Sequence, residues 1–161
     1  MPIRKDLSSL NCSLAKALDI VGDGWTMLII RDLFLGATRF ADFASSLGIA
    51  RNILTDRLAR LTDAGLVARE GTENRPVYQL TDKGYDLIPA LVALLQWGDR
   101  WFAKDGKPML ITDRSDTEIP PMILRDLSGM PIAPRNISIT PGPGADPRTR
   151  GYIDMLATRD Q

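Results

Sequence analysis

The chain has 161 residues, 44% of them hydrophobic, a length and composition suited to one compact domain with appendages. Twenty Lys and Arg offset twenty Asp and Glu, and the balance holds on either side of Ile111, so any affinity for nucleic acid has to come from local arrangement rather than net charge. There is no histidine and a single cysteine, Cys12, which excludes histidine catalysis, Cys/His metal ligation and an internal disulfide; no apolar run approaches the roughly 20 residues of a membrane span.

Leu14, Ala17, Leu18 and Val21 recur at helical spacing and Gly22 closes them, predicting a first amphipathic helix. From Trp25 to Leu35 the chain is apolar nearly all round, as in a central buried helix, and Gly36 stops it. Phe40, Phe43, Ala44 and Leu47 repeat the helical stripe, Gly48 breaks it, and Leu54, Leu58 and Leu61 start another before Gly65. Two short helices meeting at a glycine predict a helix-turn-helix, whose second helix enters the major groove of DNA. Residues 66–70 and 76–80 read as two strands around a polar loop, a hairpin that forms the wing.

Thr81 is a good N-cap, and Leu87, Leu91, Leu94, Leu95, Gly98, Trp101 and Phe102 follow as a stripe, predicting one long carboxyl-terminal helix kinked at Pro89. Past Asp105 the composition turns to Pro, Gly, Asp and Arg. Residues 122–125 and 136–140 read as short strands around the turn Leu-Ser-Gly-Met, residues 141–147 as a linker, and Tyr152, Ile153, Met155 and Leu156 as one final helical turn. No internal repeat is evident. The fold class is therefore α+β, mainly α: a winged helix-turn-helix with a long dimerisation helix over residues 1–106, and an accessory extension with a small hairpin over 107–161.

The string from Cys12 to Trp25 resembles the opening of the HxlR family of bacterial winged-helix regulators. Arg39-Phe40, Ile53-Leu54-Thr55 with Leu58 and Leu61, Gly65-Leu66-Val67, and Tyr78-x-Leu80-Thr81-x-x-Gly84 continue the likeness over roughly residues 12 to 102. The resemblance implies a dimeric transcription regulator whose terminal helices pair the subunits. It also implies a cysteine at position 12 that some members use as a redox or electrophile sensor.

If Leu54 faces inward, Asn52, Thr55, Asp56 and Ala59 face outward, with Arg51 and Arg57 on the flanks. Asn pairs with adenine edges, Thr with either groups or a thymine methyl, Asp with cytosine, and Arg with guanine or phosphate. A solvated polar face is the plain alternative. Arg39, Arg69 and Arg75 are candidates for phosphate or minor-groove contacts, against an ordinary role in solubility. Cys12 stands before the first helix with Lys16 one turn on, a setting for a reactive thiolate, or else is a buried inert thiol. Trp97 and Trp101 share a helix face, as a dimer contact or as the lid of an aromatic ligand pocket.

These residues predict a sequence-specific DNA-binding regulator acting as a homodimer on a double-stranded operator. Its input is a redox or electrophile signal or a small-molecule effector. The competing reading is a winged-helix protein-interaction module. No constellation of nucleophile and base supports an enzyme, no cofactor is implied, and the amino end lacks a secretory apolar region, which places the protein in the cytoplasm.

Overall fold

A computed structural model describes residues 7–158, so the first residues of the amino end read above for targeting lie outside the described part. Two compact units emerge, one formed by Ala17–Pro121 and the other by residues up to Lys16 together with those from Met122 onward. No helix among the described residues is long and apolar enough to cross a membrane.

In the larger unit, Asp23 caps helix α2 (Gly24–Phe34) by accepting from the backbone of Thr26, and α2 buries Ile29 and Ile30 completely. Against it lie α3 (Phe40–Leu47) and α4 (Arg51–Asp63), whose inner residues Phe43, Leu54, Leu58 and Leu61 complete the core. Gly48 takes a φ of 59° at the end of α3, a left-handed turn that a glycine enters without strain, and its backbone N–H closes on the Ala44 carbonyl. Helix α1 (Ser13–Val21) precedes them.

Strands β1 (Val67–Thr72) and β2 (Arg75–Leu80) pair antiparallel with Val67 opposite Leu80 and Thr72 opposite Arg75. Tyr78 stands edge-on to Phe43, and its N–H donates to the Thr38 carbonyl at 2.8 Å, so the wing is sewn to the segment that leads into α3.

The region after the wing differs from the single kinked helix expected. A short helix α5 (Asp82–Tyr85), capped by Thr81, ends before Leu87, and α6 (Ile88–Phe102) starts afresh with Pro89 in its first turn. Proline lacks the N–H that a first turn leaves unused, so it opens a helix there rather than bending one. α5 is pressed on the end of α4: the Thr81 hydroxyl donates to the Gly65 carbonyl at 2.7 Å and Lys83 Nζ to the Ala64 carbonyl at 2.7 Å. Gly84 is buried in this contact, and a Cβ there would run into the Leu66 carbonyl oxygen.

The extension holds no hairpin between 122–125 and 136–140. It contains instead an internal repeat that the sequence reading did not find. Ile111-x-Asp113-x-Ser115, with Ile119 and Pro121, recurs as Leu124-x-Asp126-x-Ser128, with Ile132 and Pro134. Each copy closes one isolated bridge, Thr112 to Glu118 and Arg125 to Pro131. The Asp113 carboxylate accepts from Ser115 N, Ser115 Oγ and Thr117 N at 2.7–3.0 Å. Asp126 accepts from Ser128 N, Ser128 Oγ and Met130 N at 2.6–2.9 Å. The first copy belongs to the larger unit and the second to the smaller one.

In the smaller unit the final turn extends to an 11-residue helix α7 (Pro147–Ala157), capped by Asp146. Asn11 fastens its approach: the side chain donates to Gly144 O at 3.2 Å and accepts from Asp146 N at 3.0 Å.

Two outcomes follow from these contacts. Gly84→Ala should lower the unfolding free energy in urea by about 1–3 kcal/mol, the usual cost of forcing atoms into a packed site. Gly98→Ala, in α6 with open space around it, should leave it unchanged or raise it by up to about 1 kcal/mol. The Ser hydroxyl and backbone N–H bonds hold both Asp113 and Asp126 below the usual carboxylate range. Both turns should therefore be fully formed above that range and loosen together as pH falls through the depressed values, read from the amide shifts of Ser115, Thr117, Ser128 and Met130.

Candidate nucleic-acid interface

Helix α4 divides its residues as a reading helix must. Leu54, Leu58 and Leu61 are buried, while Arg51, Asn52, Thr55, Asp56 and Ala59 are exposed on the other side. The Thr55 hydroxyl donates back to the Arg51 carbonyl at 2.9 Å, which occupies its one proton and leaves the oxygen to accept. Arg51 lies over the Phe40 ring with its guanidinium carbon 5.4 Å from the centroid, so α3 orients the first side chain of α4.

The other arginines differ in what the fold asks of them. Arg39, at the start of α3, donates from Nη1 to the carbonyls of Arg75 and Pro76, both at 3.2 Å, and braces the root of the wing. Beside it the Asp42 carboxylate accepts from the backbone of Thr38 and Arg39. Arg69 and Arg75 are exposed on β1 and β2. Arg57 is half-buried, donating from Nε to Asp23 Oδ1 at 3.0 Å and pairing through Nη1 with Asp56.

Asp23 and Arg60 were absent from the residues singled out in the sequence. Asp23 caps α2 and receives Arg57; burial pushes its carboxyl up, but the bonds from Thr26 and Arg57 outweigh this and leave it below its ordinary value. Arg60 Nη2 donates to the Asp19 carbonyl at 3.1 Å. The spacing Asp23-x-x-Thr26 just before an apolar run is a capping signal that would have found the first of them. Nothing local in the sequence marks the second.

The stripe proposed for subunit pairing splits in two. Leu91, 8% exposed, belongs to the core, and Leu87 packs against it. Leu95 is half-buried, whereas Leu94, Trp97, Trp101 and Phe102 are exposed, the last two at 61% and 70%. Trp97 and Phe102 meet edge to face at 5.4 Å between centroids, and Arg100 covers Trp101. Cys12 is exposed at the foot of α1, beside Asn11, Lys16 and Gly144 in a shallow cavity of about 290 Å³, so in this chain it is not a buried thiol.

Comparison with known proteins agrees with this geometry. The family model for an HxlR-like helix-turn-helix matches residues 20–106. The uncharacterized HTH-type transcriptional regulator Rv3095 of Mycobacterium tuberculosis is 38% identical over 137 residues, covering 82% of this chain and 87% of that protein. Among solved structures, PA1607, described as a candidate transcription factor, superposes with a TM-score of 0.78 at 40% identity over 84% of this chain and 98% of its own. The redox regulator HypR in its reduced form superposes with a TM-score of 0.52 at 27% identity, over 58% of this chain and 99% of its own. With its winged helix-turn-helix in place and that family model spanning more than half its length, the chain belongs to the HxlR-like helix-turn-helix family of transcriptional regulators.

Proposed function

We propose that the protein binds a specific double-stranded DNA operator as a cytoplasmic homodimer, with α4 in the major groove and the wing against the flanking backbone. The carrying observation is the sidedness of α4: an inner face of buried leucines against an outer face of Arg51, Asn52, Thr55 and Asp56, all exposed and all of types that pair with base edges. Arg69 and Arg75 on the wing are the phosphate or minor-groove contacts of this reading, and Arg39 sets the wing's root.

Homodimerisation rests on the exposed Leu94, Trp97, Trp101 and Phe102, an aromatic cluster of the kind that anchors protein interfaces. Cys12 is the signal input of the proposal. Its accessible thiol at a helix start supports this, as does the likeness to HypR, itself a redox regulator. A small-molecule effector is the alternative input.

DNA selected from a random pool should contain paired half-sites about 10 base pairs, or a multiple, apart. Asn52→Ala should cost about 1–3 kcal/mol on the selected operator and little on random duplex. Equal affinity for both duplexes in the wild type would favour a protein-interaction module instead. Light scattering should show a dimer that Trp101→Glu dissociates, and a monomeric wild type at micromolar concentration would defeat the pairing. Oxidant should shift operator affinity in the wild type and not in Cys12→Ser; identical titrations in both would remove Cys12 as the sensor.

A further inference from the structure

We propose that Arg57 is a positioning residue: with Asp23 and Arg60 it forms a clamp that fixes the rotation and tilt of α4 against the α1–α2 junction, and so sets sequence discrimination without itself touching DNA. The proposal rests on the DNA-reading role given to α4 above.

Leu54, Leu58 and Leu61 hold α4 to the core by contacts that are strong but non-directional, so they resist removal of the helix more than its rolling. Directional ties are needed to fix the roll, and charge-assisted hydrogen bonds supply them. Arg57 and Arg60 are three residues apart and so emerge from one side of α4. Both reach the same place: Arg57 Nε meets Asp23 Oδ1 at 3.0 Å, and Arg60 Nη2 meets the Asp19 carbonyl at 3.1 Å.

Asp23 is a rigid anchor because both of its oxygens are engaged. Oδ1 also accepts from Thr26 N at 3.0 Å and Oδ2 from Thr26 Oγ1 at 2.6 Å, and Thr26 is itself 1% exposed. A continuous set of fixed bonds therefore runs from the interior of α2 through Asp23 to α4. The other arm of the same guanidinium holds Asp56, a side chain of the outward face. With two carboxylates on it, Arg57 has little charge left for a phosphate.

A positioning role and a phosphate contact differ in what they do to binding. Losing a phosphate contact weakens binding to every sequence and lowers the salt slope by about 1, whereas a rolled α4 misplaces side chains at base edges and damages only the specific complex. The test is fluorescence-anisotropy titration of the full chain against selected operator and random duplex at several salt concentrations. The proteins are the wild type, Arg57→Gln, Arg57→Lys, Asp23→Asn and the Arg57→Gln/Asp23→Asn double variant. Asn keeps an oxygen at Oδ1 for the α2 cap and removes the charge, so Asp23→Asn weakens the tie to Arg57 from a charge pair to a neutral hydrogen bond.

Each of Arg57→Gln and Asp23→Asn should lower the operator-to-random ratio about tenfold, the value of roughly one base contact, with the salt slope unchanged. The double variant should be no worse than either single one, and Arg57→Lys should recover part of the ratio. A loss shared by both duplexes with a reduced salt slope in Arg57→Gln, while Asp23→Asn binds normally, would overturn the proposal in favour of direct contact. So would single losses that multiply in the double variant.

A wild-type chain that discriminates between no duplexes would overturn the DNA-reading itself. The clamp is then read without DNA, from the amide shifts of Asn52 and Thr55. They should move alike in Arg57→Gln and Asp23→Asn, and unchanged shifts in either would refute the tie.

Discussion

The packing of α2 against α3, α4, β2 and α6 is the constraint on which the larger unit depends. Ile29 and Ile30 are completely buried, and α3, α4, β2 and α6 are all laid on this one helix. Hydrophobic contact alone would permit a range of slides and rolls among four neighbours. The polar ties at the two ends of the unit remove that freedom. At one end Asp23 and Arg57 join the start of α2 to α4, and at the other Thr38 and Arg39 join the approach of α3 to β2. Helix α4 and the wing are thus referred to a common frame, as the proposed binding of both to one rigid duplex would require.

Such a frame explains which parts of the protein were legible in the sequence. The inner face of α4 was plain because Leu54, Leu58 and Leu61 follow the helical period strictly and Gly48 and Gly65 mark its limits. The hairpin was legible as two short strand-like runs around a polar stretch, although the strands reach further than read and leave only Glu73 and Asn74 in the turn. The roles of the arginines were not, because each is decided by a partner far away in the chain. The partner of Arg57, Asp23, lies 34 residues earlier, and Arg39 meets the wing root 36 residues later, so neither bond could be read from neighbouring residues. Periodicity reports which side of a helix is apolar and says nothing about which polar side chains are already engaged.

The misread parts of the extension share another cause. Residues 122–125 have the composition of a strand, but their hydrogen bonds close within a turn, Ile132 N reaching Leu124 O at 2.8 Å, rather than to a second strand at 136–140. Asp126 satisfies three donors of its own turn and makes the copy self-contained, as Asp113 does for the earlier one. Local side-chain bonds of this kind compete with sheet ladders wherever Asp and Ser occur together. The repeat escaped notice because it is carried by Asp, Ser, Ile and Pro at fixed offsets, with almost everything between them exchanged. Pro89 was misjudged for a related reason: a proline in an apolar stripe signals a kink only if the helix already exists before it, and here α5 ends first.

The neutral charge balance takes on a definite meaning once the arginines are placed. Arg57 and Arg60 are half-buried and engaged in the fold, Arg39 is exposed but bonded to the wing root, and Arg51, Arg69 and Arg75 are exposed on α4 and the wing. Non-specific affinity grows with the number of phosphates neutralised, so a chain with no excess of cations over acidic side chains has little net electrostatic pull on arbitrary DNA. On the function proposed above, affinity for an operator would then be drawn chiefly from base-edge contacts and from the pairing of two copies of α4. Both would demand accurate placement of α4, and two of its arginines, Arg57 and Arg60, are already tied to Asp23 and to the Asp19 carbonyl.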